Sequence, residues 1–427
     1  MLFVISASLT ILGCGGGSTD KGLSQNSNQN SPSVSATEVL SNDSFLITTS
    51  RQELIRVSPL TGASELLYTL PYDLKFALPP DVVDNHVIVG ASDNTLNAIN
   101  LSTGGVDWDI QLNDSVDARG MTSPVACANP VCYVISAPGT LFAINVRSKA
   151  VIWKTSLHTS SGAAGSLVGR PLLVQGNYIY AATNHDTGAS AAVQILDRNT
   201  GARVHTIALQ EFAIAVPVLE DNRLLVATET SLRAYSTDSF ELIWQTSFDG
   251  TNGLYGTSNM AVARNTIVIV ANDPRFNYDS EGQVFVGLNA STGKVLWTTN
   301  AGTTNSYFSP QTDGFSIFSM RSRICNLTCT SGSPIALNPQ NGRALWAGFP
   351  ADVDYIGRQV PLVAAGSLYF SDLNEIGGDR RGFMSIDQVT TEIDFHAPQI
   401  NSLFTNTPIL VNDGKVFRTI DFPTYIP

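Results

Sequence analysis

Five cysteines, five histidines and a few clustered acids are the residues of this chain whose types could carry chemistry, and their spacing limits how much. Cys127 and Cys132 flank ANPV, and Cys325 and Cys329 enclose NLT, so each pair closes a short loop at small entropic cost. With Cys14 set aside, four thiols remain and pair evenly, which predicts two local disulfides and an oxidising compartment. Zinc is the competing use, but neither pair has a histidine or a further thiol pair close by in sequence. The histidines, at 86, 158, 185, 205 and 396, show no ligand spacing. Asp273, Asp279 and Glu281 could hold calcium, yet they lack the short glycine-marked spacing of a calcium loop and read as a solvated acidic loop. No nucleophile elbow, HExxH, P-loop or dinucleotide fingerprint occurs. The expectation is no catalytic, cofactor-binding or metal-binding residue.

Cys14 has a different context. The apolar run Leu2 to Leu12 is too short to span a bilayer and has the length of a signal-peptide core. It ends in Ile11, Leu12, Gly13 and Cys14, which resembles the bacterial lipobox; an ordinary cysteine in a secretory signal is the alternative. On the lipobox reading residues 1–13 are removed and Cys14 carries the lipid. Gly15 in place of aspartate then implies sorting to the outer membrane. Residues 14–40, rich in Gly, Ser, Asn and Gln, form a flexible linker with no capacity for a core.

The rest of the chain, 41–427, must be read through its internal repeat. Ile99 and Trp108 are nine residues apart, and Ile144/Trp153, Tyr235/Trp244, Leu288/Trp297 and Leu337/Trp346 keep the same distance, which accounts for every tryptophan. Val57/Leu66, Leu196/His205 and Ile386/Phe395 keep it without the indole, making eight copies. The residue after the first member is Ser, Asn or Asp in all eight, able to cap a turn through its side chain. Four residues before the second member stands Gly62, Gly104, Gly201, Gly293 or Gly342, where a hairpin favours positive φ. Lys149, Phe240 and Thr391 occupy that column in the other three copies, so a different turn is expected there.

Alternating apolar strands recur about every 39 to 53 residues, the period of four-stranded propeller blades. The fold class expected is therefore all-β, an eight-bladed β-propeller of antiparallel blades, with Trp108, Trp153, Trp244, Trp297 and Trp346 packing blade against blade. Residues 408–411 read as the strand missing from the first copy, so that the two termini close one blade. Residues 415–420 read as a second strand competing with 45–49 for a place in it.

With strands lettered A to D from the axis outward, the B-to-C links are short in blades 2, 3 and 5 and long in blades 4, 6, 7 and 8. Long loops on a rigid frame are where recognition usually resides. Arg275, Arg321, Arg323, Arg380 and Arg381 lie in or beside them among acids, a mixture suited to contact with protein or simply to solvation. A net charge of −12 argues against a nucleic-acid or anionic-membrane surface, and permits a basic partner.

The segments LNAINLSTGGVDW, LFAINVRSKAVIW and VFVGLNASTGKVLW resemble the PQQ-like β-propeller repeat. With a lipobox and a single ring, the chain is most similar within that family to outer-membrane protein assembly factors. The resemblance implies a monomeric, lipid-anchored propeller facing the periplasm, without cofactor, that scaffolds the β-barrel insertion machinery by binding its central barrel subunit. Two alternatives stand beside it: a lipid-anchored propeller that binds another envelope protein or a glycan, and a quinoprotein dehydrogenase holding PQQ and calcium. The dehydrogenases resemble longer chains with adjacent cysteines over the cofactor, and no adjacent pair occurs here.

Overall fold

The computed structural model describes residues 44–417 apart from gaps in the connections, the longest at 113–120, 158–166, 273–282, 324–331, 348–360, 374–380 and 398–408. Cys14, Cys325, Cys329, Arg275, Arg380, Thr391, Asp273, Asp279 and Glu281 lie outside the described residues.

Every regular element described is a β-strand, and the strands form eight antiparallel sheets, the blades of an eight-bladed propeller. Blade 2 shows the plan, with A at Asp81–Val83, B at His86–Gly90, C at Thr95–Asn100 and D at Val106–Gln111, hydrogen-bonded in that order. The A strand is three residues long here and in blades 3, 5, 6 and 8, since eight sheets must converge near one axis. In blade 7 it is split into Asn305–Tyr307 and Gln311–Thr312, both paired with B at Ile317–Arg323. Pro310 lies in the break and has no N–H for the ladder. Buried side chains of adjacent blades interdigitate into shared cores, as where Leu96, Ala98 and Trp108 of blade 2 meet Val134, Phe142 and Ile144 of blade 3.

The two C-terminal runs do not compete. Ile409–Asn412 pairs with Ser44–Thr48 along one edge through Phe45↔Leu410, and with Lys415–Phe417 along the other through Val411↔Val416. Blade 1 thus has five strands, and the additional one extends the sheet beyond the A position. A strand has two edges, and sequence spacing alone did not say that both would be used.

The C–D ladder carries a bulge in every blade. In blade 6, Gly287 pairs with Trp297 and Leu288 with Val295, so Leu296 has no cross-strand partner. The bulge turns two consecutive apolar side chains outward, leaving Val295 41% and Leu296 47% exposed. In blade 1 it sits further along: Ile55 pairs with Leu66 and Leu54 with Tyr68. The nine-residue spacing assigned Leu66 to the sealing column, but Leu66 is 56% exposed and Leu67 is buried.

The C–D turns are alike where sequence predicted two kinds. Gly62, Gly104, Gly201, Gly293 and Gly342 have φ between 67° and 71°, and Lys149 and Phe240 adopt the same left-handed conformation at 55° and 59°. Neighbouring bonds fix it whatever the residue: Asn145 Oδ1 accepts from the Arg147 and Ser148 amides, and Ser236 Oγ accepts from the Asp238 and Ser239 amides. A side chain in this region costs about 1–2 kcal/mol, more than the entropy penalty of glycine. Lys149→Gly is accordingly expected to stabilise the fold by about 0.5–1 kcal/mol, read as a higher urea midpoint at unchanged slope. An unchanged or lower midpoint would mean that lysine makes a compensating contact.

The joint between blades uses the same turn. Trp153, Trp244, Trp297 and Trp346 donate from Nε1 to the carbonyls of Arg198, Ala290, Pro339 and Gln388, each just after strand C of the next blade, at 3.2, 3.2, 2.7 and 2.8 Å. A Cβ added to Gly201, Gly293 or Gly342 would fall 2.4 Å from Cε3 of the indole facing it. Where the indole is missing another group serves: Arg56 Nη1 donates to Leu101 O at 2.6 Å, and His205 stacks on Phe240 with ring centres 5.0 Å apart. Trp108 is buried, and its Nε1 has no hydrogen-bond partner among the described residues.

Candidate protein-docking rim

In an antiparallel blade the B–C and D–A connections emerge on one rim, and the A–B and C–D turns on the other. On the B–C rim the short links are fixed by their own backbone. In blade 2 the Ala91 amide bonds Thr95 O at 2.8 Å, and Asn94, with φ 68°, turns the chain back. Blade 5 adds a side-chain lock that its sequence, ATETS, does not announce. Glu211, in the connection entering that blade, accepts from Thr228 Oγ1 at 3.0 Å, Thr230 N at 2.8 Å, Thr230 Oγ1 at 2.6 Å and Arg233 Nη2 at 2.8 Å. Burial opposes ionisation of Glu211, but the Thr230 and Thr228 hydrogen bonds and the Arg233 charge outweigh it and hold the carboxyl below its ordinary range. A signal did exist: Arg233 interrupts an otherwise apolar strand, SLRAYS, and a buried arginine requires an acid.

Of the five arginines read as a recognition set, Arg321 and Arg323 close strand B of blade 7, paired to Tyr307 and Asn305, and Arg381 opens strand C of blade 8 opposite Leu373. Their backbones therefore stand at the B–C edge of two adjacent blades. Cys127 and Cys132 face each other on the A–B hairpin of blade 3 and form a disulfide.

The opposite rim carries a second polar network. Arg147 of blade 3 bonds Asp84 of blade 2 from Nε at 2.6 Å, and Asn129 joins them at 2.6 Å from Asp84 and 3.0 Å from Arg147. His86 and Asn100 meet Asp107 at 2.7 and 2.8 Å. The Asn100 and His86 hydrogen bonds lower the Asp107 carboxyl from its ordinary value. Among the described residues no three His, Cys, Asp or Glu side chains gather as a metal site. Asp81, the acid of the innermost strand in blade 2, accepts from the Val82 and Cys127 amides at 2.8 and 2.6 Å. The described residues thus offer no acidic set for the calcium of a quinone site, and no chemical step is assigned to them. Their polar groups fix turns, which yields stiff loops on a closed ring.

The family described as outer membrane protein assembly factor BamB matches residues 18–192 and 189–417, nearly the whole chain. The chain belongs to this family. Among solved structures, BamB from Moraxella catarrhalis is similar at 16% identity and a TM-score of 0.52, over 76% of this chain and 92% of its own. The same fold is seen in a europium-containing methanol dehydrogenase, at 12% identity, TM-score 0.54 and coverage of 76% and 80%. It is seen again in the quinohemoprotein alcohol dehydrogenase of Comamonas testosteroni, at 13%, 0.55, 77% and 68%. At such identities these likenesses show the fold alone. No curated protein matches the sequence. Membership in the BamB family accounts for the repeat, the ring and the single chain of blades together.

Proposed function

We propose that this chain is a non-catalytic scaffold, anchored by lipid at Cys14 to the periplasmic face of the outer membrane, that docks a protein partner of the β-barrel insertion machinery. The observation that carries it is the BamB family match over nearly the full length. The B–C links of blades 2 and 5, fixed by their own hydrogen bonds, point the same way. Residues 1–13 act as the signal peptide, 14–40 as the linker and 41–427 as the propeller, with Cys325 and Cys329 as a second disulfide. Arg275, Arg321, Arg323, Arg380 and Arg381 form the partner-facing edge.

Crosslinking in the native envelope followed by purification tests this. The barrel-insertion machinery should be recovered, and Arg321→Glu with Arg323→Glu should reduce recovery about tenfold or more, as expected when charged contacts are reversed, with thermal unfolding unchanged. Recovery that survives the double reversal removes the rim assignment. Recovery only of some other envelope protein replaces the assembly role with the alternative scaffold. Dye-linked alcohol oxidation after loading with PQQ and calcium would overturn the non-catalytic reading.

A further inference from the structure

The A–B/C–D rim of blades 6 and 7 differs from the chain around it in its cations and in one exposed aromatic. Its turns, 264–265, 290–293, 313–316 and 338–342, are all described. On and beside them Arg264, Lys294 and Arg343 are exposed, and none forms an ion pair among the described residues. The exposed acid of these turns is Asp313, whose Oδ1 accepts from the Phe315 and Ser316 amides at 2.7 Å each. Phe315 is 64% exposed at the tip, with the Arg264 guanidinium 5.4 Å from its ring centre. The bulged D strands add Val295, Leu296 and Leu345, the last 54% exposed. The pieces are held together: Ser291 Oγ bonds Asn265 Oδ1 at 3.1 Å, and Trp297 bridges to Pro339 O. Asp238 and Glu241 in the neighbouring turn of blade 5 bound the patch on one side.

A stiff aromatic tip, aliphatic side chains and three cations, in a chain of net charge −12, form a mixed basic and apolar surface of the kind that seats in lipid headgroups. We propose that this sector is a membrane-resting face: Phe315 and the three aliphatic side chains enter the headgroup layer of an anionic phospholipid surface while Arg264, Lys294 and Arg343 meet its phosphates. Screening confines such contacts to charges within about 8 Å, so the distant acids of the chain do not cancel them. An acidic protein would satisfy the cations but leave Phe315 without a reason to be exposed. Ser44, the first residue of strand B of blade 1, stands at this same rim. On the lipid-anchored reading, a linker with the composition of residues 14–40 would span about 30 Å and keep the domain at high effective concentration near the bilayer. Only that last step rests on the lipid-anchored reading.

The mature chain, residues 14–427 with Cys14→Ser, which carries neither the apolar leader nor an acyl chain, separates the two. It should sediment with phosphatidylglycerol-rich vesicles at low salt, much less with phosphatidylcholine vesicles, and lose binding as salt rises. Arg264→Glu, Lys294→Glu and Arg343→Glu together, and Phe315→Ser alone, should each reduce vesicle binding about tenfold or more while the unfolding midpoint stays within error. No vesicle binding by the Cys14→Ser chain, or binding that survives both variants at an unchanged midpoint, overturns the proposal. Failure of the anchor itself is read separately, from the mass of the mature N-terminus of the unaltered chain, and leaves the vesicle result standing.

Discussion

Gly293→Val is expected to lower the stability of the propeller by about 4 kcal/mol. Two costs fall on one atom. Gly293 sits at φ +71°, where a β-branched residue is strained, and its Cβ would stand 2.4 Å from Trp244 Cε3 and 2.8 Å from Thr246 Oγ1. The indole cannot retreat without breaking its bond to Ala290 O, and the threonine is bonded to Gly293 O at 2.6 Å. Gly176 separates the two costs, since it has φ +60° but no atom within 4 Å of an added Cβ. Gly176→Ala should therefore lose only about 1 kcal/mol, and Gly293→Ala visibly more. Urea unfolding followed by tryptophan fluorescence reads all three. Equal losses for Gly176→Ala and Gly293→Ala would show that the joint yields and that the close packing of blades is not what the glycine protects.

Much of this joint was legible beforehand because it repeats. A column of glycines four residues ahead of the tryptophan column, and a column of Asn, Asp or Ser ahead of that, are each visible only when eight copies are laid together. The handedness of the turn at Lys149 and Phe240 was not legible, because local preference argues against it and the ladder on either side overrides that preference. Leu66 and Leu67 show the limit of counting: a bulge moved by two pairs exchanges which leucine is inside, and nothing in SELLYT marks where the ladder slips. The outward pairs such as Val295 and Leu296 were hidden for the same reason, since strict alternation would have buried one of each. That Arg321, Arg323 and Arg381 stand at the B–C edge was legible from loop length alone. Glu211 was missed because its partners lie 17 to 22 residues away across a turn.

Glu211→Ala is expected to cost about 3 kcal/mol, from breaking a largely buried pair rather than from losing a contact. Arg233 is 9% exposed, and without the carboxylate its guanidinium keeps only the Ser231 Oγ acceptor and no counter-charge, while the Thr230 amide loses its acceptor. If that account is right, Glu211→Met combined with Arg233→Met should recover most of the loss, because the charge left without a partner, and not the missing bond, is the larger penalty. The sign of the pH effect follows from the lowered carboxyl. A group whose folded value lies below its unfolded one stabilises fully above the unfolded range, near pH 4.3 for glutamate, and loses that contribution as pH falls through the lower folded value. The unaltered chain should thus lose stability more steeply below about pH 4.3 than Glu211→Gln, and the two curves should converge in stronger acid. Curves that stay parallel through that window would mean that Glu211 keeps its proton equilibrium on unfolding, and the blade 5 lock would then be a set of hydrogen bonds without a charge at its centre.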